Sequence, residues 1–266
     1  MLAVPVDVDT MPWVTINLEH GDTDHQNCWK LPVWQFETLT APVNTQGFRG
    51  YELHGADVAL LAIPDDVEKD WLHLPSSRWL RKKVQRARNL GYEFAPIEHD
   101  DYLDDIYAIN TSKSERQGKP MTASYRVRPS PIGRSKEQPC PRHRSGYFGV
   151  LRDGRLYAYL GARQVGELTA TPTLLGHGDY LDDGIMALLL YETAAWHRRV
   201  CGSSYVWYYY YYSSGTDGMR FFKEKMGYRP YRVRWELSRR TYVESDGTLR
   251  AEPIPPAQQA LGPRTD

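Results

Sequence analysis

Cysteine is scarce in this chain. The three present, Cys28, Cys140 and Cys201, lie far apart with no C-x-x-C pair, which argues against a disulfide framework or a zinc ribbon. A reducing cytoplasm is the expected compartment. Long apolar runs are missing too: none approaches the roughly 18 to 20 residues that cross a bilayer. The opening "MLAVPVDVDTMPW" has no basic stretch ahead of an apolar core, so neither membrane insertion nor export is expected. An excess of either charge is absent, with 33 basic and 33 acidic residues, so overall charge points to no partner. No internal repeat is visible. At 266 residues the chain is long enough to bury a core without staples.

Local charge says more. Between Arg78 and Arg88 stand Arg78, Arg81, Lys82, Lys83, Arg86 and Arg88 with no acid among them, and a second basic run, rich in proline, spans 126–146. Arg78, Arg81, Lys82, Arg86, Arg126 and Arg128 are therefore candidates to hold phosphates, against the plainer reading of solvated faces. "HGDTDHQNC" gathers His20, Asp22, Asp24, His25 and Cys28, but the spacing matches no zinc pattern and a polar turn accounts for it. No metal is expected.

Residues 12 to 75 carry short β-like pieces, "WVTINL", "VWQFETL", "FRGYELHG" and "DVALLAIP", parted by Gly, Pro, Asn and Asp. "SSRWLRKKVQRARNLGY" then predicts a helix, with Ser76 or Ser77 as N-cap, Leu80, Val84 and Ala87 at helical spacing, and a stop at Gly91. A strand "YEFAPI" and an acidic-fronted helix "DDYLDDIYAINTSKSERQG" follow, and 126–146 reads as an exposed loop. "YFGVLRDGRLYAYLGARQVGELTAT" predicts antiparallel strands turning at Asp153-Gly154. "GDYLDDGIMALLLYETAAWHRRV" predicts a helix opening on Asp179, Asp182 and Asp183 and ending before Gly202. These elements divide the chain into a β-rich segment 1–75, a main domain 76–240 of α/β (α+β) class on a mixed sheet, and a tail 241–266 that frays after Ile254.

Five consecutive tyrosines, Tyr208 to Tyr212, then lead through Ser-Ser-Gly into "DGMRFFKEKMGY". Bulky aromatics suit a pleated strand and Gly suits the turn, so the stretch predicts strand, loop and helix. Strand alternation pairs Tyr210 with Tyr212 and Tyr209 with Tyr211, and leaves open which face would line a cleft.

The element order, with "RKKVQRARNLGYEF", "IYAINTSKSERQG" and "DGMRFFKEKMGY", resembles the GNAT-type acyltransferase fold, and within it the Fem-type aminoacyl-tRNA-dependent peptidyltransferases. The resemblance covers about 76–237; Fem-type enzymes usually contain two such halves, and the first 75 residues leave room for at most a remnant of one. It implies a GNAT-like, mostly antiparallel sheet flanked by helices. It also implies amide-bond formation between an aminoacyl group carried by tRNA and the amine of a peptide-like acceptor, a cell-wall precursor or a peptide antibiotic intermediate, with no cofactor beyond the donor.

Under that resemblance Lys223, of the F-K pair, is the stabiliser of the tetrahedral intermediate; Tyr210 is a further catalytic candidate; Tyr208, Tyr209 and Tyr212 with Phe222 wall the cleft and bind substrate; and the basic helix and loop receive the tRNA acceptor arm. His177 and Asp179 stand where a strand meets its helix, placed to relay a proton or simply to cap. Arg116 would grip a carboxylate or phosphate, or serve an ion pair. The acetyl-CoA branch needs backbone N–H groups of a glycine loop aimed at pyrophosphate. Here the matching junction, "LLGHGDYLDDGIM", sets three aspartates in that place, which disfavours acetyl-CoA. An acyl-CoA N-acyltransferase, a nucleic-acid-binding or base-modifying relative and a catalytically silent binding domain stand as the alternatives.

Overall fold

The computed structural model describes residues 8–18, 30–40, 56–116, 119–134, 140, 142–212, 216–237, 241–243 and 249–251. Eight strands make one sheet: β1 (Trp13–Asn17), β2 (Val58–Ala62), β3 (Glu93–Ile97), β4 (His143–Arg152), β5 (Arg155–Val165), β6 (Leu168–Gly176), β7 (Tyr205–Tyr210) and β8 (Arg229–Glu236). Their order is β1-β8-β2-β7-β6-β5-β4-β3. Only the β1–β8 and β6–β7 pairs are parallel, so the sheet is mixed and mostly antiparallel, as expected. Strands β4 and β5 turn at Asp153 and Gly154, whose φ of 52° and 76° are the left-handed pair that an Asp-Gly hairpin supplies. The segment 1–75 contributes β1 and β2 to this same sheet.

Five helices flank the sheet: α1 (Lys30–Thr40), α2 (Arg78–Asn89), α3 (Leu103–Thr111), α4 (Ile185–Cys201) and α5 (Asp217–Met226). On one face the spacing of Leu80, Val84 and Ala87 sets a stripe of α2 beside α4, and both bury Val150, Ala158, Leu160 and Ala162 of the sheet. On the other face Ile106 and Ile109 of α3 cover Ile97, Leu156, Tyr159 and Leu175, while Leu39 of α1 joins Val58, Leu60, Val165 and Trp207.

Two sequence expectations change. "VWQFETL" looked strand-like because Trp34 and Phe36 alternate with polar residues, yet it lies in α1. Its buried positions Gln35 and Leu39 are four apart, and the Thr38 and Thr40 hydroxyls donate to the carbonyls of Trp34 and Phe36 one turn back. Helix α3 stops at Thr111 rather than running on toward residue 118: the Ser112 hydroxyl and the Arg116 guanidinium both donate to the Ile109 carbonyl and close the helix end. The basic stretch after 126 is exposed, as expected, and is tethered, because the Asp100 carboxylate accepts from the amides of Ile132 (2.9 Å) and Gly133 (2.8 Å). Arg128 adds a 2.6 Å ion pair with Asp104. The His20 to Cys28 cluster and the tail beyond 251 lie outside the described residues. Among those described, no helix is long and apolar enough to cross a membrane.

The predicted start of α4 also moves. Asp179, Asp182 and Asp183 occupy a 3-10 turn (Gly178–Asp183), and the α-helix begins only after Gly184, whose φ is 93°. A Cβ on Gly184 would stand 2.2 Å from the carbonyl oxygen of Lys83, so glycine is what lets the α2 backbone touch this junction. Gly184→Ala is expected to destabilise the fold by about 3 kcal/mol or more through strain and overlap. By contrast Gly154→Asn, at φ 76° with nothing within 4 Å of the point where a Cβ would stand, costs under about 1 kcal/mol. Paired urea melts check both, and equal losses would contradict this reading of the junction.

Candidate active site

The parallel pair β6–β7 stays in register for only three steps, Leu168 with Tyr205, Thr169 with Val206 and Ala170 with Trp207. Beyond that the strands part, and each carries an extra residue at the fork. In β6 the register against β5 slips across Thr171 and Pro172, where proline has no amide to give the ladder. In β7 it slips against β2 across Tyr208 and Tyr209, and Tyr209 takes a left-handed φ of 53°. The gap is a cavity of about 340 Å³ lined by Tyr208, Tyr209, Lys223, Met219, Arg116 and Tyr125, among others. Tyr208 and Met219 belong with the α2/α4 side and Met121 and Tyr125 with the α3 side, so the cavity is walled from both faces of the sheet.

The bulge overrides simple alternation in the tyrosine run. Tyr208 and Tyr209, neighbours in sequence, both line the cavity, and Tyr209 fixes its ring by donating its hydroxyl to the Pro172 carbonyl at 2.6 Å. Tyr210 and Tyr212 do not line it. Tyr210 presents its carbonyl to Lys223, and the Tyr212 amide donates to both Asp57 carboxylate oxygens at 2.9 and 3.1 Å. Burial pushes the Tyr208 phenol well above its usual range, so it is a neutral wall and not a phenolate.

Lys223 reaches the cavity from α5 and is 1% exposed. Its Nζ donates to the Tyr210 carbonyl and sits 4.9 Å from the centre of the Tyr208 ring. Burial lowers its pKa from 10.5 to about 8, with the Asp57 carboxylate opposing the shift. The side chain therefore stays mostly protonated at neutral pH: a dry cation beside a cavity, easily made to give up its proton.

Arg116 lies at the other end of the cavity. Its guanidinium donates to the carbonyls of Gly176 (2.9 Å) and Ile109 (2.8 Å) and to the Ser112 hydroxyl (3.1 Å), its buried Nε has no partner, and no carboxylate pairs with it among the described residues. Partial burial lowers its pKa. The remaining candidates sit elsewhere. Phe222 packs edge-on against Trp79 of α2, with ring centres 6.0 Å apart, and not into the cavity. His177 caps the 3-10 turn by accepting from the Asp179 amide at 3.4 Å and packs beside Tyr180, so neither His177 nor Asp179 lines the cavity.

Four of the six basic residues of α2 are used internally. Arg86 pairs with Asp183 at 3.4 Å, Lys83 donates to the Asp182 carbonyl at 3.1 Å, Arg88 pairs with Glu192 at 2.6 Å, and Arg81 donates to the Leu72 carbonyl at 3.4 Å. Arg78, Lys82 and Arg126 are exposed. Asp57, Thr171 and Pro172 were not foreseen. Proline inside "LTATPTLLG" is the one signal that could have located the fork, since proline in a central strand marks a bulge. Nothing in "ADVALLAIP" marks Asp57 as a site residue.

The electrostatics of Lys223 lead to a measurable trade-off. A lowering of this size corresponds to about 3 kcal/mol against the protonated folded state. Because the folded pKa lies below the unfolded one, the penalty is fully present below pH 8 and is relieved as pH rises toward 10.5. Lys223→Met is thus expected to be more stable than the parent at pH 7, by about 1–2 kcal/mol after loss of the bond to Tyr210. The difference should shrink between pH 8 and 10.5. Thermal melts across that range check it; a variant less stable at every pH would contradict the assignment.

No protein-family model and no curated protein matches this sequence. Solved structures do. FemX superposes with a TM-score of 0.52 at 12% identity, over 76% of this chain and 66% of its own. L-PGS from Bacillus licheniformis gives a TM-score of 0.43 at 15% identity, over 66% of this chain and 60% of its own. A conserved protein of unknown function from Bacteroides thetaiotaomicron gives 0.43 at 13%, over 65% and 55%. This chain therefore spans between just over half and two thirds of the length of these structures. The mixed sheet, the flanking helices, the parting parallel strands and the superposition on FemX together give this chain the GNAT-type fold.

Proposed function

We propose that the protein is an acyltransferase that moves an aminoacyl group from tRNA to the amine of a peptide-like acceptor. The observation that carries this reading is Lys223, a buried and mostly protonated lysine on the wall of a cavity that opens through the sheet between the parting strands. A cavity walled from both faces lets two substrates approach from opposite sides and meet beside one fixed cation.

In the reaction the acceptor nitrogen attacks the ester carbonyl carbon, and the carbonyl oxygen becomes an oxyanion. The Lys223 ammonium stabilises that charge in a site with little water to screen it. The carbon–oxygen bond to ribose then breaks, the amide forms, and the proton lost by the amine balances the proton gained by the ribose oxygen. Tyr208 and Tyr209 supply a neutral aromatic wall for the aminoacyl side chain.

The start of α4 favours an aminoacyl donor over a CoA thioester. Asp183 accepts from Tyr92 at 3.0 Å and pairs with Arg86, and the α2 backbone at Lys83 presses on Gly184. Carboxylates and a neighbouring helix thus occupy the place where a pyrophosphate would meet the helix N-terminus. The exposed cations Arg78 and Lys82 of α2 and Arg126 suit the phosphates of an acceptor arm.

Incubation with a pool of radiolabelled aminoacyl-tRNAs or with acetyl-CoA should discharge or retain an aminoacyl-tRNA; retention of CoA alone would hand the case to an acyl-CoA N-acyltransferase. Lys223→Ala should fold and bind donor yet lose about 100-fold or more in turnover, and parent turnover should fall as pH rises through about 8. Unchanged turnover in a folded variant would remove the assignment. Separately, Arg78→Gln with Lys82→Gln should weaken tRNA binding and reduce the slope of log affinity against log salt by about two. An unaltered slope would place the tRNA surface elsewhere.

A further inference from the structure

A second hollow, of about 430 Å³, opens on the α3 face of the sheet and shares Pro172 and Thr173 with the cavity at Lys223. Its floor is cleared by Gly146 and Gly161: a Cβ on Gly146 would meet nothing within 4 Å, and one on Gly161 would touch the Tyr147 ring at 3.4 Å and the Thr173 Cβ at 3.8 Å. The tethered loop supplies the outer wall through Ile132, Gly133 and Arg134. Among the described residues no acidic side chain lines it. Of its two arginines, Arg134 is paired with Asp101 at 3.5 Å. Arg163 has neither a carboxylate partner nor a hydrogen bond among the described residues.

Arg163 is held in place by stacking. Its guanidinium lies 4.2 Å from the centre of the Trp34 ring of α1, which occupies the flat face of the cation and leaves its fork of N–H donors for another partner. Partial burial lowers its pKa, with the Tyr147 and Tyr209 phenols nearby. A cation drawn out of water with no protein anion costs stability, which makes it a candidate for a ligand contact. One unpaired planar fork matches one carboxylate; a phosphate is commonly met by several cations and amides together.

We infer that Arg163 binds the carboxylate of the acceptor, and that the acceptor is a short peptide with a free C-terminus lying from this hollow to the cavity at Lys223. The inference rests on the transferase reading for the position of the amine. Its length follows from the strand register: Arg163 stands opposite Ala170 and Gly161 opposite Thr173, where the two hollows meet. The three steps from Ala170 to Thr173, shortened by the bulge, span at most about 10 Å, the reach of two to three extended peptide residues. Tyr209, pinned to Pro172, lies along this path and would line the middle of the peptide.

The test uses two pools of random-sequence tripeptides, one as free acids and one as C-terminal amides, with binding to the whole protein read by saturation-transfer NMR. The free-acid pool should bind the parent, the amide pool about tenfold or more weaker, and Arg163→Gln should remove the difference. Arg163→Lys, which keeps the charge and loses the fork, should fall between. Equal binding of the two pools, no binding of free acids, or an acid preference that survives in Arg163→Gln would overturn the inference. So would inorganic phosphate that binds in an Arg163-dependent way while the tripeptides do not. If Arg163→Gln fails to fold, the acid–amide comparison on the parent and Arg163→Lys decides. Acid recognition without discharge of any aminoacyl-tRNA keeps the subsite and removes the transferase reading; discharge without acid recognition does the reverse.

Discussion

Where two central strands of a sheet part, the backbone groups along the fork lose their ladder partners, and each buried group left unpaired would cost about 1–3 kcal/mol. Side chains replace the missing bonds here. Thr171 donates its hydroxyl to the Trp207 carbonyl at 2.8 Å, Tyr209 donates to Pro172, Lys223 donates to Tyr210, and Asp57 accepts from the Tyr211 and Tyr212 amides through its carbonyl and carboxylate. The residues that close the fork are largely those that line or edge the cavity. Their positions are thus set by the folding of the sheet itself, and a site built this way is organised before any ligand arrives.

That arrangement is costly in a recognisable way. Among the described residues three non-glycine positions have positive φ: Asp57, Asp153 and Tyr209. Asp153 is explained by its hairpin. The other two edge or line the cavity, and left-handed backbone at a bulky tyrosine is strain that only a well-determined surrounding maintains. Lys223 adds a desolvated cation, so strain and unfavourable electrostatics fall in one place. A core selected for stability alone would have neither.

Much of the fold was legible in the sequence because hydrophobic period and turn residues agree there. The stripe of Leu80, Val84 and Ala87, the Asp153-Gly154 hairpin and the glycine after α4 all sit where local patterning sets them. Helix α1 was misread because alternation over seven residues imitates a strand, and only contacts with the sheet decide between the two periods. Within the site, the sequence points to Lys223, Arg116, Tyr208 and Tyr209 but carries no sign of the geometry that joins them. A bulge changes the facing of every residue beyond it, and Tyr208 to Tyr212 are identical letters that carry no mark of where it falls. Asp57 acts through 155 residues of separation from Tyr212, and no short window contains that information.

Charge placement links the fold to the chemistry. The basic stripe of α2 and the aspartates before α4 each look like a ligand site when read alone, yet Arg86, Lys83 and Arg88 spend their donors on Asp183, Asp182 and Glu192. The helix N-terminus that could serve a phosphate instead helps to dock α2 against α4. Guanidiniums without a carboxylate partner among the described residues are found on the α3 side, with Arg116 at the Gly176 end of β6 and Arg163 opposite Ala170 near its start. Positive charge thus flanks the strip from Ala170 to Gly176 at both ends, with the cavity and its buried ammonium between. An anionic ligand drawn to either end would lie along the fork, where Lys223 is the nearest cation aimed at the gap.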